Sequence, residues 1–317
     1  MSDPPLAAVT GGTGFLGSHV VAALSRGGWR LRLLARKAPP ASWPADAETV
    51  LGDMADADAL ARLVDGADAV VHLAALTKAN GRAAFEAVNR DGTARLATAV
   101  VAHAPRARCI LVSSIAAREP GLSGYAASKR AGEAAATAVL DAAPQTAGRW
   151  VVLRPSIIYG PGDREGLALR RAASQPLVVV PRAPEPRLTM VHAADVAGTI
   201  AALCRAGPLR AVFEVTDARL DGYGWRELLL RMGDAVGRRP RFLPLPDAVL
   251  LAAGGVADLW ASATARPNVF GRGKVREFLH RDWSSSPARQ MPKGIWSPAI
   301  TLEAGLQDTA AWWATLG

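Results

Sequence analysis

The sequence predicts an α/β protein of the Rossmann type, a doubly wound parallel sheet with a smaller, partly helical C-terminal layer. Three observations carry this. Short apolar runs alternate with helical patterns through the first half, those runs are continuously rich in Val, Leu and Ile, and a glycine-rich turn follows the first of them. Strands that alternate with helices need crossover connections, which build a parallel sheet. Uninterrupted apolar strands suit burial on both faces.

In chain order, strands are expected at 7–10, 30–35, 48–51, 69–73, 109–113 and 150–154, and helices at 15–26, 56–64, 83–103 and 125–142. The rhythm breaks after Pro155, where prolines cluster at Pro176, Pro181, Pro184 and Pro186 and again at Pro240, Pro244 and Pro246. Residues 187–215 return to the sheet with a helix at 193–205 and a strand at 211–215. This places 1–160 with 186–215 in the sheet domain, and 161–185 with 216–317 in the smaller layer. A last helix, 302–315, carries Trp312 and Trp313, which are expected to pack against the body.

The chain has 317 residues, half of them hydrophobic and 21% charged, a globular composition long enough to bury a large core without staples. Cys109 and Cys204 both stand in apolar surroundings and read as small buried hydrophobes, which fits a reducing cytoplasm. The opening M-S-D-P-P-L has no basic stretch leading into an apolar one, so no secretory signal is expected. No apolar run reaches the roughly 18 residues of a spanning helix. The nearest, 248–257, is closed by Asp247 and Asp258 and would lie on a membrane or line an apolar pocket.

Net charge is +9 and unevenly spread. Residues 266–293 hold Arg266, Arg272, Lys274, Arg276, Arg281, Arg289 and Lys293 against Glu277 and Asp282, interleaved with Phe270, Phe278 and Trp283. Such a segment is either a solvated surface or a peripheral contact with anionic membrane through 247–293. No nucleic-acid motif accompanies it, and no nucleic-acid partner is expected. The sequence is compatible with a monomer and with a homodimer.

The segment A-A-V-T-G-G-T-G-F-L-G-S-H-V-V sets Gly11, Gly14 and Gly17 between a strand and a helix. Gly11 permits the tight turn, Gly14 lets backbone approach a pyrophosphate, and Gly17 lets the helix pack closely on the sheet. The free N–H groups of the helix start then favour a dinucleotide. The second strand runs into Arg36 and Lys37 where an acidic residue would suit a ribose 2′-OH; arginine suits a 2′-phosphate, so the expected cofactor is NADPH (NADP). Asp53, in L-G-D-M, either meets the adenine edge or caps a helix.

With these features the sequence resembles the extended short-chain dehydrogenase/reductases, the NAD(P)-dependent epimerase/dehydratase/3β-hydroxysteroid dehydrogenase group. The matching stretches are T-G-G-T-G-F-L-G (10–17), G-D-M (52–54), H-L-A-A (72–75), V-N-R-D-G-T (88–93), V-S-S (112–114), Y-A-A-S-K (125–129), R-P-S-I-I-Y-G-P-G (154–162) and V-H-A-A-D-V-A (191–197); the final third matches less specifically. The resemblance implies that Tyr125 is the general acid/base and that Lys129 holds the nicotinamide ribose and lowers the phenol's pKa. It implies that Ser114, with Ser113 as the fallback, bonds the substrate carbonyl, and that Asn89 orders a proton-relay water. Cofactor contacts would come from Gly11, Thr13, Gly14, Phe15, Leu16, Arg36, Lys37, Asp53, Met54, Leu73, Ala74, Ala75, Lys129, Pro155 and Ile158. His72 and His192 read as structural, and no metal is expected. Physical chemistry agrees with the central pair. Tyr125 and Lys129, four apart, share a helix face, and a fixed ammonium stabilises a phenolate that is otherwise a poor base at neutral pH.

The family holds several chemistries. Sugar dehydratases of the group tend to place carboxylates after the serine, where this chain has Ile115, Ala116 and Ala117. The C-terminal run of Val, Leu, Trp and Phe rimmed by Arg and Lys is either a helical core with a solvated rim or a site for a long acyl chain. The stretch S-S-I-A-A-R-E-P-G-L-S-G-Y-A-A-S-K-R-A-G-E (113–133) is similar to the ceramide reductase branch of bacterial sphingolipid synthesis. That similarity implies NADPH-dependent reduction of the 3-keto group of N-acyl-3-ketosphinganine. The alternatives are a nucleotide-sugar epimerase or dehydratase, a 3β-hydroxysteroid-type dehydrogenase, and a non-catalytic nucleotide-binding accessory subunit.

Overall fold

The computed structural model describes residues 3–79, 81–182, 184–264 and 271–316. Six strands appear where the apolar runs predict them: β1 Leu6–Thr10, β2 Arg30–Ala35, β3 Glu48–Leu51, β4 Ala69–His72, β5 Arg108–Val112 and β6 Trp150–Pro155. With β11 (Ala211–Val215) they form one seven-stranded sheet of order β11-β6-β5-β4-β1-β2-β3. The pairings from β3 through β6 are all parallel. The order reverses beside β1, so the strand ends of β1 and β4 open at the switch point where such sheets bind ligands.

The intervening helices are α1 Phe15–Arg26, α2 Ala57–Val64, α3 Arg82–Phe85, α4 Thr93–His103, α5 Gly124–Ala142 and, before β11, α7 Ala193–Arg205. One face of the sheet is sealed by Leu60, Leu63, Leu96, Val100, Ala136 and Leu140 of α2, α4 and α5 against Val70, Cys109 and Val152. Both cysteines are buried. One expectation changes. The helix read as continuous from 83 to 103 is broken by a π-helical segment, Glu86–Gly92, between α3 and α4. Such wide turns carry no composition signature, and they recur at functional sites.

The described chain divides into two compact units, 1–155 with 196–213 and 291–297, and 156–195 with 214–290 and 298–317. The second unit holds three two-stranded parallel pairs: β7 Ile157–Tyr159 with β10 Met190–His192, β8 Leu177–Pro181 with β12 Arg241–Leu245, and β9 Arg187–Leu188 with β13 Asp282–Trp283. Its helices are α6 Leu167–Ala173, α8 Trp225–Asp234, α9 Asp247–Thr264, α10 Arg272–Leu279 and α11 Leu302–Ala314. Trp313 is buried, with the Arg170 guanidinium 5.4 Å over its ring. Trp283 is buried and Phe278 stacks on Trp225 at 4.3 Å, so these two aromatics of the basic segment serve the core. Arg266 and Phe270 lie outside the described residues. Among the described residues no helix is long and apolar enough to cross a membrane.

Candidate active site

The glycine turn begins at Thr10, the last residue of β1. Gly11 has φ +73°, and a Cβ there would meet the backbone N of Ala74 at 2.6 Å, so both conformation and space demand glycine. Gly17 is equally constrained, because a Cβ would strike the carbonyl oxygen of Gly11. Gly14 caps α1 without a side-chain hydrogen bond, and the first turn carries no acid. Exposed Thr13 and half-buried Phe15 and Leu16 surround that start. The closed approach of α1 to the turn and the uncapped N–H groups fit a pyrophosphate.

The Thr10 hydroxyl accepts from the backbone N–H of Leu73 and of Ala74, at 3.2 Å each. With both lone pairs used, its proton goes to His72 Nδ1, 2.7 Å away. His72 Nε2 then donates to Thr93 Oγ1 at 2.8 Å, since that hydroxyl spends its own proton on the Asn89 carbonyl at 2.7 Å. The network therefore requires a neutral imidazole. Burial and the nearby Lys129 charge agree, pushing His72 from 6.5 down to about 3. His192, of the second unit, is buried edge-on to Tyr159, 3.4 Å from Asp308. Among the described residues no cluster of His, Cys, Asp or Glu is set to hold a metal ion.

Asn89 sits in the π-helical segment. Its Oδ1 accepts from Leu76 N at 2.7 Å, and its Nδ2 donates to Leu76 O at 3.0 Å and to Ser128 Oγ at 2.9 Å. Ser128 donates to the Tyr125 carbonyl at 2.8 Å. A chain of hydrogen bonds thus runs from the glycine turn through His72, Thr93 and Asn89 to the first turn of α5. Gly132 makes this contact possible, because any Cβ there would strike the Asn89 carbonyl oxygen.

Helix α5 starts at Gly124, capped by Ser123, whose hydroxyl accepts from Ala126 N at 2.9 Å. Tyr125 is half-buried, its ring 6.1 Å from Phe85. One turn on, Lys129 is buried and donates to the carbonyl of Val112 at 2.9 Å. Val112 ends β5 and is followed directly by Ser113 and Ser114, so this bond holds the serine pair and the Tyr–Lys turn together. Ser114 caps a short 3₁₀ turn, Ile115–Arg118, accepting from Ala116 N at 3.2 Å. Ser113 Oγ is buried without a hydrogen-bond partner among the described residues. Burial lowers the Lys129 ammonium from 10.5 to about 8, opposed by the Glu133 carboxylate one turn further on. Glu133 is itself buried and bound at both oxygens by Arg154, at 2.9 and 2.6 Å.

Arg36 and Lys37 are exposed directly after β2. Asp53 is exposed and accepts from Ala55 N at 2.7 Å; the cap of α2 is Asp56, whose carboxylate takes Ala59 N at 2.9 Å. Met54 is buried, and a Cβ on Gly92 would meet its own at 2.9 Å. Ala75 is half-buried in the turn after β4, Pro155 ends β6, and Ile158 pairs with Val191 in the second unit. Thr10, Ser128, Glu133 and Arg154 join the site unannounced. Thr10, Ser128 and Arg154 stand in stretches that carry the family resemblance, and Glu133 lies four residues beyond Lys129.

The model of the NAD dependent epimerase/dehydratase family matches residues 7–215. The ceramide reductase of Caulobacter vibrioides is 43% identical over 312 residues, covering 98% of this chain and 95% of the relative. Among solved structures, a UDP-glucose 4-epimerase from Thermotoga maritima superposes with a TM-score of 0.73 at 19% identity, over 98% of this chain and 99% of that one. A UDP-glucose 4-epimerase from Thermus thermophilus gives 0.71 at 22% identity, over 98% and 99%. At those identities the structural likeness shows the fold.

Proposed function

The chain belongs to the NAD dependent epimerase/dehydratase family, the extended short-chain dehydrogenase/reductases, and we propose that within it the protein is an NADPH-dependent ketone reductase of lipid metabolism. The substrate is N-acyl-3-ketosphinganine, whose 3-keto group becomes a hydroxyl. The observation that carries this reading is the 43% identity to a ceramide reductase over nearly the whole of both chains. The Lys129–Val112 bond, which ties the Tyr125–Lys129 turn to the strand end just before Ser113 and Ser114, supports it, since those side chains are what a carbonyl reduction needs.

The turn from Gly11 to Gly14 and the start of α1 would hold the pyrophosphate, Leu73 to Ala75 would line the dinucleotide, and Lys129 would hold the nicotinamide ribose. When bound, the cofactor supplies the hydride. Tyr125 delivers the proton to the carbonyl oxygen from its phenol, and Ser114 orients that oxygen by a hydrogen bond. The buried Lys129 ammonium lowers the cost of the phenolate left behind. Arg36 and Lys37, exposed and cationic after β2, favour the 2′-phosphate of NADPH.

The test is purified protein with NADPH and N-acyl-3-ketosphinganine in detergent micelles, followed by mass spectrometry. A two-dalton gain is expected, absent in Tyr125→Phe, which should retain NADPH binding. Turnover of a nucleotide sugar without reduction of the lipid would overturn the substrate. Arg36→Ala should weaken NADPH about tenfold or more and NADH little; equal losses would overturn the cofactor preference.

A further inference from the structure

Helix α9 is amphipathic the wrong way round. Its exposed positions between 248 and 260 carry only Ala, Val, Leu and Trp. Val249, Val256, Leu259 and Trp260 are 50%, 66%, 73% and 72% exposed, and at helical spacing they fall with Ala252 and Ala253 on one stripe. The helix's two charges are turned away from it. Asp247 pairs with Arg281 at 3.0 Å, and Asp258 accepts from the backbone N of Arg272 at 2.8 Å, capping α10. The opposite face packs on α10 through Leu250, Val275 and Leu279, so α9 already has its core. The exposed stripe lies on the side away from that packed face.

Charge names what covers it. The exposed charged side chains of α10 are Arg272, Lys274 and Arg276, all cationic, and its one acid, Glu277, is buried against Lys274 at 3.1 Å. The Arg272 guanidinium lies beside Gly255, 3.3 Å from where a Cβ would stand, and so borders the apolar stripe. An apolar face bordered by the Arg272 guanidinium, next to a helix whose exposed charges are all cationic and with an exposed tryptophan at one end, has the makeup of a helix lying in a bilayer interface. Pairing with a second copy through this stripe would bring like-charged rims together.

We infer that α9 docks this protein onto an anionic lipid bilayer, with Val249, Val256, Leu259 and Trp260 entering the headgroup–acyl boundary and Arg272, Lys274 and Arg276 meeting lipid phosphates. The inference stands apart from the reductase reading, because binding is measured without turnover.

The experiment is co-sedimentation of the full-length protein with phosphatidylcholine vesicles and with vesicles containing phosphatidylglycerol. Binding to the anionic vesicles is expected, weakening with salt. Val256→Asp combined with Leu259→Asp should cut partitioning about tenfold or more, and Arg272→Gln with Arg276→Gln should weaken the preference for anionic lipid. Because all four side chains are exposed, thermal midpoints should stay near wild type. No vesicle binding, binding that survives the aspartates, or a dimer that the aspartates dissociate in place of vesicle binding would each overturn the inference.

Discussion

Helices α5 and α9 are near twins in length and composition, 19 and 18 residues rich in Ala and Gly, with opposite burial. Helix α5 buries Lys129 and Glu133; α9 exposes Leu259 and Trp260. Each uses a glycine to bring in a neighbour, Gly132 against the Asn89 carbonyl and Gly254 against Val275 Cγ2 at 2.9 Å. The buried charges of α5 are answered inside the fold, by Val112, Arg154 and the network through Ser128. Helix α9 leaves Val249, Val256, Leu259 and Trp260 half to three-quarters exposed. Small-residue helices permit close approach; what they approach decides whether the result is a buried polar network or a surface.

The comparison breaks most visibly at Glu133. Glu133→Gln removes the carboxylate charge that faces Arg154 in a largely buried place and should cost on the order of 3 kcal/mol in chemical denaturation. It should also move catalysis. Burial lowers Lys129 to about 8 against the opposing pull of Glu133, so the proposed reductase activity should fall as pH rises through about 8, where the ammonium is lost. In Glu133→Gln that limb should begin at lower pH. Stability runs the other way. Because the unfolded lysine holds its proton to 10.5 and the folded one only to about 8, the unfolded chain binds more protons in that window and stability rises with pH across it. A pH profile unchanged by Glu133→Gln would separate Lys129 from the reaction.

Gly132→Ala comes next. The added Cβ meets backbone oxygen that cannot turn aside, and the loss should be about 2–3 kcal/mol by thermal or urea melts. Gly254→Ala meets a valine methyl at 2.9 Å and the Arg272 backbone at 3.2 Å, a looser fit than at Gly132, and should cost about 1–2 kcal/mol. Equal losses would mean that the two helices are packed alike after all.

The network beneath α5 has its own signature. His72 holds its proton only below about 3 when folded but from 6.5 when unfolded, so stability should fall as pH drops through that interval. Thr10→Val removes the hydroxyl that donates to His72 and accepts from Leu73 and Ala74, and should cost about 1–3 kcal/mol with a flatter acid limb. Smallest of all, Val256→Thr on the exposed stripe should leave stability within about 0.5 kcal/mol; a larger loss would show that α9 packs on something in the free protein.

Much of this was legible in advance. Buried parallel strands must be continuously apolar, so the runs marked β1 to β6 within a residue. The glycine turn is local chemistry, and the helix face shared by Tyr125 and Lys129 follows from periodicity, while their roles were implied by the family resemblance. Asp53 shows where legibility stops, since Asp53 and Asp56 are both good caps and only the path of the chain chose Asp56. The π-helical segment was invisible because a register shift in backbone hydrogen bonding needs no particular residue.

The sequence by itself determined the sheet, the dinucleotide turn and the face shared by Tyr125 and Lys129, because each depends on contacts a few residues apart or on a period of two or 3.6. Only the tertiary structure decided that Lys129 is anchored to the end of β5, that Glu133 is answered by Arg154 twenty-one residues away, and that α9 turns its charges inward. Those outcomes depend on which segments the fold brings side by side, and burial, unlike periodicity, is a property of the neighbours.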